Sequence, residues 1–360
     1  MKIFLLKQIL IIILILGFYG YAQALGPDQN RIHTEDFSLS PDGNRILFSL
    51  SRGSSFSDLA SYEISTETVK TFKLSGSDYY LEPVFSPNGK EICFVAGKRL
   101  KGSNIYILDY ETGNMRQITH TESAYPERKG QFNTNNLPNF SPDGKKVIFC
   151  RSGVVLERAN GNLMTTDWDI FEVDILTGTE RKLTNQKFFT IRRPYYLPDG
   201  KQFVFSASIS DNKSGVGPKD FREYEKLYKG NEIFIMDGKA NELKPAFING
   251  DMSSHPSVSG DGDVVFVSKT NHIDGVGGAN KFDLFKFDLF IRDKVGIQRL
   301  TKMRFSNELN NPFISLNGSR VIFQAEKRER REPGWTVWII NRDGTGIKEL
   351  KIMELLNNKS

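Results

Sequence analysis

The chain has 360 residues, 39% hydrophobic, 25% charged and 12% aromatic, with a formal net charge of +5. That composition excludes a disordered or collagen-like chain. The charges are interspersed, and the densest run, Glu326 to Gly334, mixes four basic with three acidic residues, so it reads as a solvated loop and not as a nucleic-acid-binding stripe.

In chain order, residues 1–24 come first as a predicted secretory signal peptide. Lys2 and Lys7 precede the apolar run Ile9 to Leu16, and Tyr21 to Ala24 ends in an A-x-A pattern, the three parts of such a leader. The apolar run is too short to span a bilayer comfortably, although an uncleaved anchor remains the alternative. Cleavage would leave Leu25 as the first residue and a net charge nearer +3, with no stable membrane insertion afterwards. No cysteine follows the cleavage point, so lipid attachment there is not expected.

Residues 25–35 read as a short N-terminal segment, residues 36–352 as a repeat region and residues 353–360 as a C-terminal tail. One pattern recurs six times, starting at Ser38, Val84, Asn139, Tyr195, Ser257 and Phe313. Each copy places a turn glycine (Gly43, Gly89, Gly144, Gly200, Gly262, Gly318) before a short apolar strand that carries Phe48, Phe94, Phe149, Phe205, Phe266 or Phe323. Second hairpins follow, beginning with strands such as Asn104 to Tyr110 and Asp169 to Ile175 and closing through Thr-Gly or Asp-Gly turns. Each repeat is therefore four short antiparallel strands. One such sheet cannot bury both faces. Six of them in a ring bury their faces against one another, which predicts an all-β, six-bladed β-propeller.

The largest insertion contains residues 217–231, where Pro218 could open and Gly230 could end a short amphipathic helix lying over the propeller. The two cysteines, Cys93 and Cys150, sit at equal parity after their turn glycines. They therefore leave the same side of equivalent strands and face different gaps, and two free thiols are expected.

The FSPDGK turn, the strand ending in Phe, the IYxxD strand, the TG turn and the RxLT strand resemble the repeats of TolB-type six-bladed β-propellers. The resemblance covers roughly residues 36–351. It implies the propeller without the α/β domain that precedes it in TolB, because only about eleven residues separate the predicted leader from the first repeat. The same repeats also resemble the propellers of prolyl-oligopeptidase-type peptidases and of pectate-fragment lyases. The TolB-type resemblance together with export implies a bacterial periplasm, with an extracellular fate open.

Strand connectivity assigns the loops. The tight glycine turns share one face, and the long insertions and blade crossings share the other. On the long-loop face, just before each inner strand, stand Asp36, Glu82, Leu137, Arg193, His255 and Asn311, followed by Phe37 in the first repeat and by proline in the other five. Six-fold geometry places them around the channel mouth. The predicted binding set is Asp36, Glu82, Arg193, His255 and Asn311, with Tyr79, Tyr80 and Arg192 around it. The alternative is a hydrated channel lined by polar groups that pair with one another.

No G-x-S-x-G spacing marks a serine hydrolase. His120, His255 and His272 lie in separate repeats without close metal-ligand spacing, and the Thr270 to Asn280 stretch does not match a calcium loop. No cofactor is expected. The reading is an exported, monomeric scaffold that binds an envelope protein, a peptide or a small polar ligand. The alternative is a propeller enzyme, a metal-dependent lyase or hydrolase acting on carbohydrate at the channel mouth.

Overall fold

The structure is a computed structural model and describes residues 32–52, 55–98, 101–123, 130–157, 163–208, 232–238, 243–246, 253–269, 287–302, 309–327 and 334–357. The predicted leader, the 217–231 helix, His272 and the 270–280 stretch lie outside the described residues.

Six antiparallel sheets follow one another along the chain. Blade 1 holds β1 (Ile32–Leu39), β2 (Arg45–Arg52), β3 (Ser55–Glu63) and β4 (Thr68–Lys73). Blade 2 holds β5 (Tyr79–Phe85), β6 (Glu91–Gly97), β7 (Ser103–Asp109) and β8 (Met115–Gln117). Blade 3 has five strands: β9 (Gly130–Phe140), β10 (Lys146–Glu157), β11 (Leu163–Thr166), β12 (Asp169–Asp174) and β13 (Glu180–Lys182). Blade 4 holds β14 (Thr190–Tyr196), β15 (Gln202–Ser208), β16 (Glu232–Asp237) and β17 (Lys244–Pro245). Blade 5 holds β18 (Ser254–Val258), β19 (Val264–Lys269), β20 (Phe287–Arg292) and β21 (Ile297–Arg299). Blade 6 holds β22 (Leu309–Ile314), β23 (Arg320–Lys327), β24 (Gly334–Asn341) and β25 (Lys348–Leu350), and a short helix α1 (Ile352–Asn357) follows it. The four-stranded expectation holds in five blades. In blade 3 the second strand runs on past β12 and pairs its far end with β11.

The recurring turn has a local cause. Gly43, Gly89, Gly144, Gly200, Gly262 and Gly318 all take φ between 65° and 87°, a region that L side chains resist and glycine accepts freely. The Ser and Asp of the motif supply acceptors for the other turn amides: Ser141 Oγ accepts from Lys146 N (2.9 Å) and Asp143 Oδ1 from Lys145 N (3.0 Å). Ser86 and Asn88 repeat the arrangement in blade 2.

The core lies between blades. Cys93 packs with Phe140, Val147 and Phe149 between blades 2 and 3, and Cys150 packs with Phe203 and Phe205 between blades 3 and 4. Both thiols are buried and free. Among the described residues no strand is exchanged between the first and last blades. Blade 6 meets blade 1 instead through backbone and side-chain hydrogen bonds between their turns. Asn317 donates from N to Pro41 O (3.0 Å) and from Nδ2 to Asp42 O (3.0 Å), and Arg320 donates to Gly43 O (3.1 Å). Ile352 and Leu356 of α1 join the core cluster that holds Phe37, Leu39 and Phe48 of blade 1. No helix among the described residues is long and apolar enough to cross a membrane.

Candidate functional site

In every inner strand the pairing slips at one equivalent dipeptide, and β9 slips a second time further out. Leu81 pairs with Val95 and Val84 with Cys93, so Glu82 and Pro83 together oppose the single residue Phe94. The same slip sets Asp36-Phe37 against Phe48, Leu137-Pro138 against Phe149, and Arg193-Pro194 against Phe205. His255-Pro256 opposes Phe266, and Asn311-Pro312 opposes Phe323. Two sequence signals that looked separate, the recurring Phe and the X-Pro pair, are thus the two sides of one β-bulge. A bulge leaves a backbone donor without a ladder partner, and proline has no donor to strand there.

The first residue of each bulge has positive φ: 56° at Asp36, 56° at Glu82, 58° at Leu137, 36° at Arg193, 55° at His255 and 48° at Asn311. A left-handed residue other than glycine costs on the order of 1–2 kcal/mol. Because all six blades carry it, the strain belongs to the blade architecture and does not mark any one of these residues as functional. Four of the six side chains, those of Asp36, Glu82, Leu137 and Arg193, line one cavity.

These side chains work mainly as ties between blades. Asp36 Oδ2 accepts from Glu82 N (3.1 Å) and Ser49 Oγ (3.3 Å). Glu82 Oε2 in turn accepts from Leu137 N, one blade further on. Leu137 has no acceptor to pass forward, and the relay stops. His255 N donates instead to Ser206 Oγ (3.3 Å), and Asn311 Nδ2 donates to Gln324 Oε1 within its own blade (2.6 Å). A second tier lies two residues on. Ser38 Oγ donates to Pro83 O (2.6 Å), Asn139 Nδ2 donates to Pro194 O (2.9 Å), and Ser257 Oγ accepts from Ile314 N (3.0 Å). Aligning the repeats exposes these positions, because they are the first residues of the recurring motif.

Two remaining members of that tier pack together. Tyr195 and Phe313 meet edge-on with ring centroids 5.9 Å apart, and both are buried. Asp36, Glu82, Leu137 and Arg193 surround a cavity of only about 10 Å³, room for one water. The expected site residues therefore separate into groups. Asp36, Glu82 and Arg193 converge on one cavity, buried to 2%, 8% and 7% exposure. His255 is half-buried, with Nδ1 2.9 Å from Ser254 Oγ. Arg192 is half-buried and close enough to act on the charges of Glu82 and His255. Tyr80 does not reach the mouth. Consecutive strand residues point to opposite faces, and Tyr80 lies 1% exposed in the core between blades 1 and 2, its hydroxyl accepting from Ser77 N (3.1 Å). Tyr79 is half-buried and lies over Gly97, where an added Cβ would stand 2.3 Å from its hydroxyl. Glu35, which the repeat pattern did not single out, joins the group because it precedes a bulge and couples to Asp36.

Charge is divided across the mouth. Blades 1 and 2 bring the carboxyls of Glu35, Asp36 and Glu82, and blade 4 brings the guanidiniums of Arg192 and Arg193. Burial, and then the Asp36 charge, pushes both Glu35 and Glu82 up to about 8. Burial pushes Asp36 up to about 6, against the opposing pull of Arg193. Burial, then Arg192 and Arg193, holds His255 well below the ordinary imidazole range. These are the shifts expected of acids and bases taken out of water. Among the described residues no three His, Cys, Asp or Glu side chains gather as a metal-binding group.

No protein-family model matches the chain. It is 28% identical over 241 residues to the Tol-Pal system protein TolB of Francisella tularensis subsp. mediasiatica, covering 65% of this chain and 49% of that protein. It is 25% identical over 203 residues to dipeptidyl-peptidase 5 of Porphyromonas gingivalis, covering 52% of this chain and 26% of the peptidase. The crystal structure of TolB from Acinetobacter baumannii superposes with a TM-score of 0.56 at 22% identity, covering 89% of this chain and 63% of that one, a likeness of fold. The chain spans about half the length of the curated TolB relatives it matches.

Proposed function

We propose, from the premise that this chain is a TolB-like six-bladed β-propeller, that it is an exported binding scaffold of the bacterial cell envelope, periplasmic in location, which holds a protein or peptide partner over the channel mouth. The observation that carries this reading is the convergence there of polar groups from several blades, with carboxyls from blades 1 and 2 beside guanidiniums from blade 4. The cavity has room for one water only, so a partner rests on the ring and not inside it. The half-buried side chains of Glu35, Tyr79, Arg192 and His255 are then the groups within its reach. Arg192 supplies a positive charge, while Glu35 and His255, both neutral near pH 7, supply hydrogen bonds, a set that orients an acidic or polar partner segment, and Tyr79 adds contact area at low entropic cost. The Tol-Pal system name of the TolB relatives supports an envelope partner.

The test uses residues 25–360 as bait in envelope extract, followed by affinity measurement with the captured partner. Arg192→Ala and His255→Ala are expected to weaken binding about tenfold each, while Lys294→Ala on the turn face leaves it unchanged. Equal losses in all three, or none in the mouth variants, would sink the assignment. Stoichiometric transition metal in the purified protein, lost in His255→Ala, would favour an enzyme instead.

A further inference from the structure

We infer that Asp36 and Glu82 form a proton-operated catch at the seams joining blades 1, 2 and 3, firm while at least one of the two carboxyls keeps its proton and looser when both are ionised. The inference requires no partner and stands apart from the binding proposal. It starts from the two inter-blade hydrogen bonds, Glu82 N to Asp36 Oδ2 and Leu137 N to Glu82 Oε2. Each carboxyl receives the amide of the next blade's bulge, so the position of one carboxyl sets that of the other.

A count of charge shows why a proton is held there. Facing the pair are Glu35 beside Asp36 on β1, Arg192 and Arg193 on β14, and His255 on β18. The adjoining bulges on β9 and β22 bring Leu137 and Asn311, which do not titrate. Tyr195 on β14 and the thiols of Cys93 and Cys150 are held in their neutral forms, chiefly by burial. His255 is kept neutral by burial and by the two arginines and adds no positive charge. Three carboxyls against two guanidiniums leave one net negative charge when all are ionised. The cavity between them admits a single water, and Asp36 Oδ1 is buried with no hydrogen-bond partner among the described residues. An uncompensated charge in such a space is costly, and the cheaper state keeps a proton.

The direction of the pH effect follows. Asp36 rises to about 6 and Glu82 to about 8 in the folded protein. Folding therefore takes up protons. The stabilisation is complete below the ordinary carboxyl range and is lost as pH rises through 6 to 8.

The experiment measures melting temperature against pH and follows the infrared band of protonated carboxyls, in the wild type and in Glu82→Gln, which keeps a neutral acceptor for Leu137 N. The wild type is expected to melt about 2–5 °C lower at about pH 9 than at about pH 6. Its protonated-carboxyl band should vanish across the same interval, and Glu82→Gln should show less than about half the melting shift. Parallel melting profiles for the two proteins would overturn the inference. If Glu82→Gln does not fold, Glu35→Gln decides instead: a band and a melting shift that persist in it between about pH 6 and 9 uphold the catch, and loss of both with Glu35 refutes it.

Discussion

The blades are joined differently at the two faces of the ring. On the turn face, beside backbone bonds such as Asn317 N to Pro41 O, many of the joints are long arginine side chains at the surface. The Arg45 guanidinium lies 5.1 Å from the Phe85 ring centroid and 4.5 Å from that of Tyr110, Arg116 donates to Ile175 O (2.9 Å), and Arg342 bridges Asp263 (2.7 Å) and Asp293 (3.1 Å). At the mouth the joints are short, buried carboxyls and hydroxyls that accept or donate to the backbone of the next blade. A solvated arginine that is lost is replaced by water. A buried acceptor that is lost leaves an amide with nothing to bond. The mouth is therefore the less forgiving of the two faces, and it is also where charge is concentrated.

The comparison can be sharpened by mutation, starting with the largest effect. Phe94 is fully buried opposite the Glu82-Pro83 bulge, and Phe94→Ala is expected to cost about 3–5 kcal/mol in denaturant unfolding. An effect below about 1 kcal/mol would mean that the bulge does not depend on the ring opposite it. Glu82→Ala, which strands the Leu137 amide, is expected to cost about 2–3 kcal/mol, largely independent of salt. Leu356→Ala tests closure of the ring, since α1 packs on blade 1. A cost of about 2 kcal/mol is expected, with hydrogen exchange accelerated in β1 before the other inner strands. Uniform exchange across all six inner strands would contradict a local role for the helix. Arg342→Ala on the turn face should cost less than about 1 kcal/mol, and its effect should shrink as salt is added. If Arg342→Ala costs as much as Glu82→Ala, the contrast between the two faces is wrong.

The propeller was legible in the sequence because its causes are local and repeated six times. A glycine at positive φ, the serine and aspartate acceptors around it and the alternation of the following strand each act within a few residues, and repetition makes the pattern unmistakable. The free cysteines were legible for the same reason, since parity along a strand determines the face. The ring of inward residues was also found by alignment, down to the position before each proline. Its chemistry was not. Whether Glu82 lies open to a ligand or accepts Leu137 N depends on how far apart two blades stand, and Leu137 is 55 residues away along the chain. Tyr80 is expected at the rim, but its face is set by the regular pairing of β5 with β6, which puts it in the core between blades 1 and 2. The contact of Tyr195 with Phe313 joins blades 4 and 6, which are not neighbours in the chain. Local periodicity governs each strand's own faces, but contacts across the ring depend on the radius and register of the assembled blades, which no single repeat encodes.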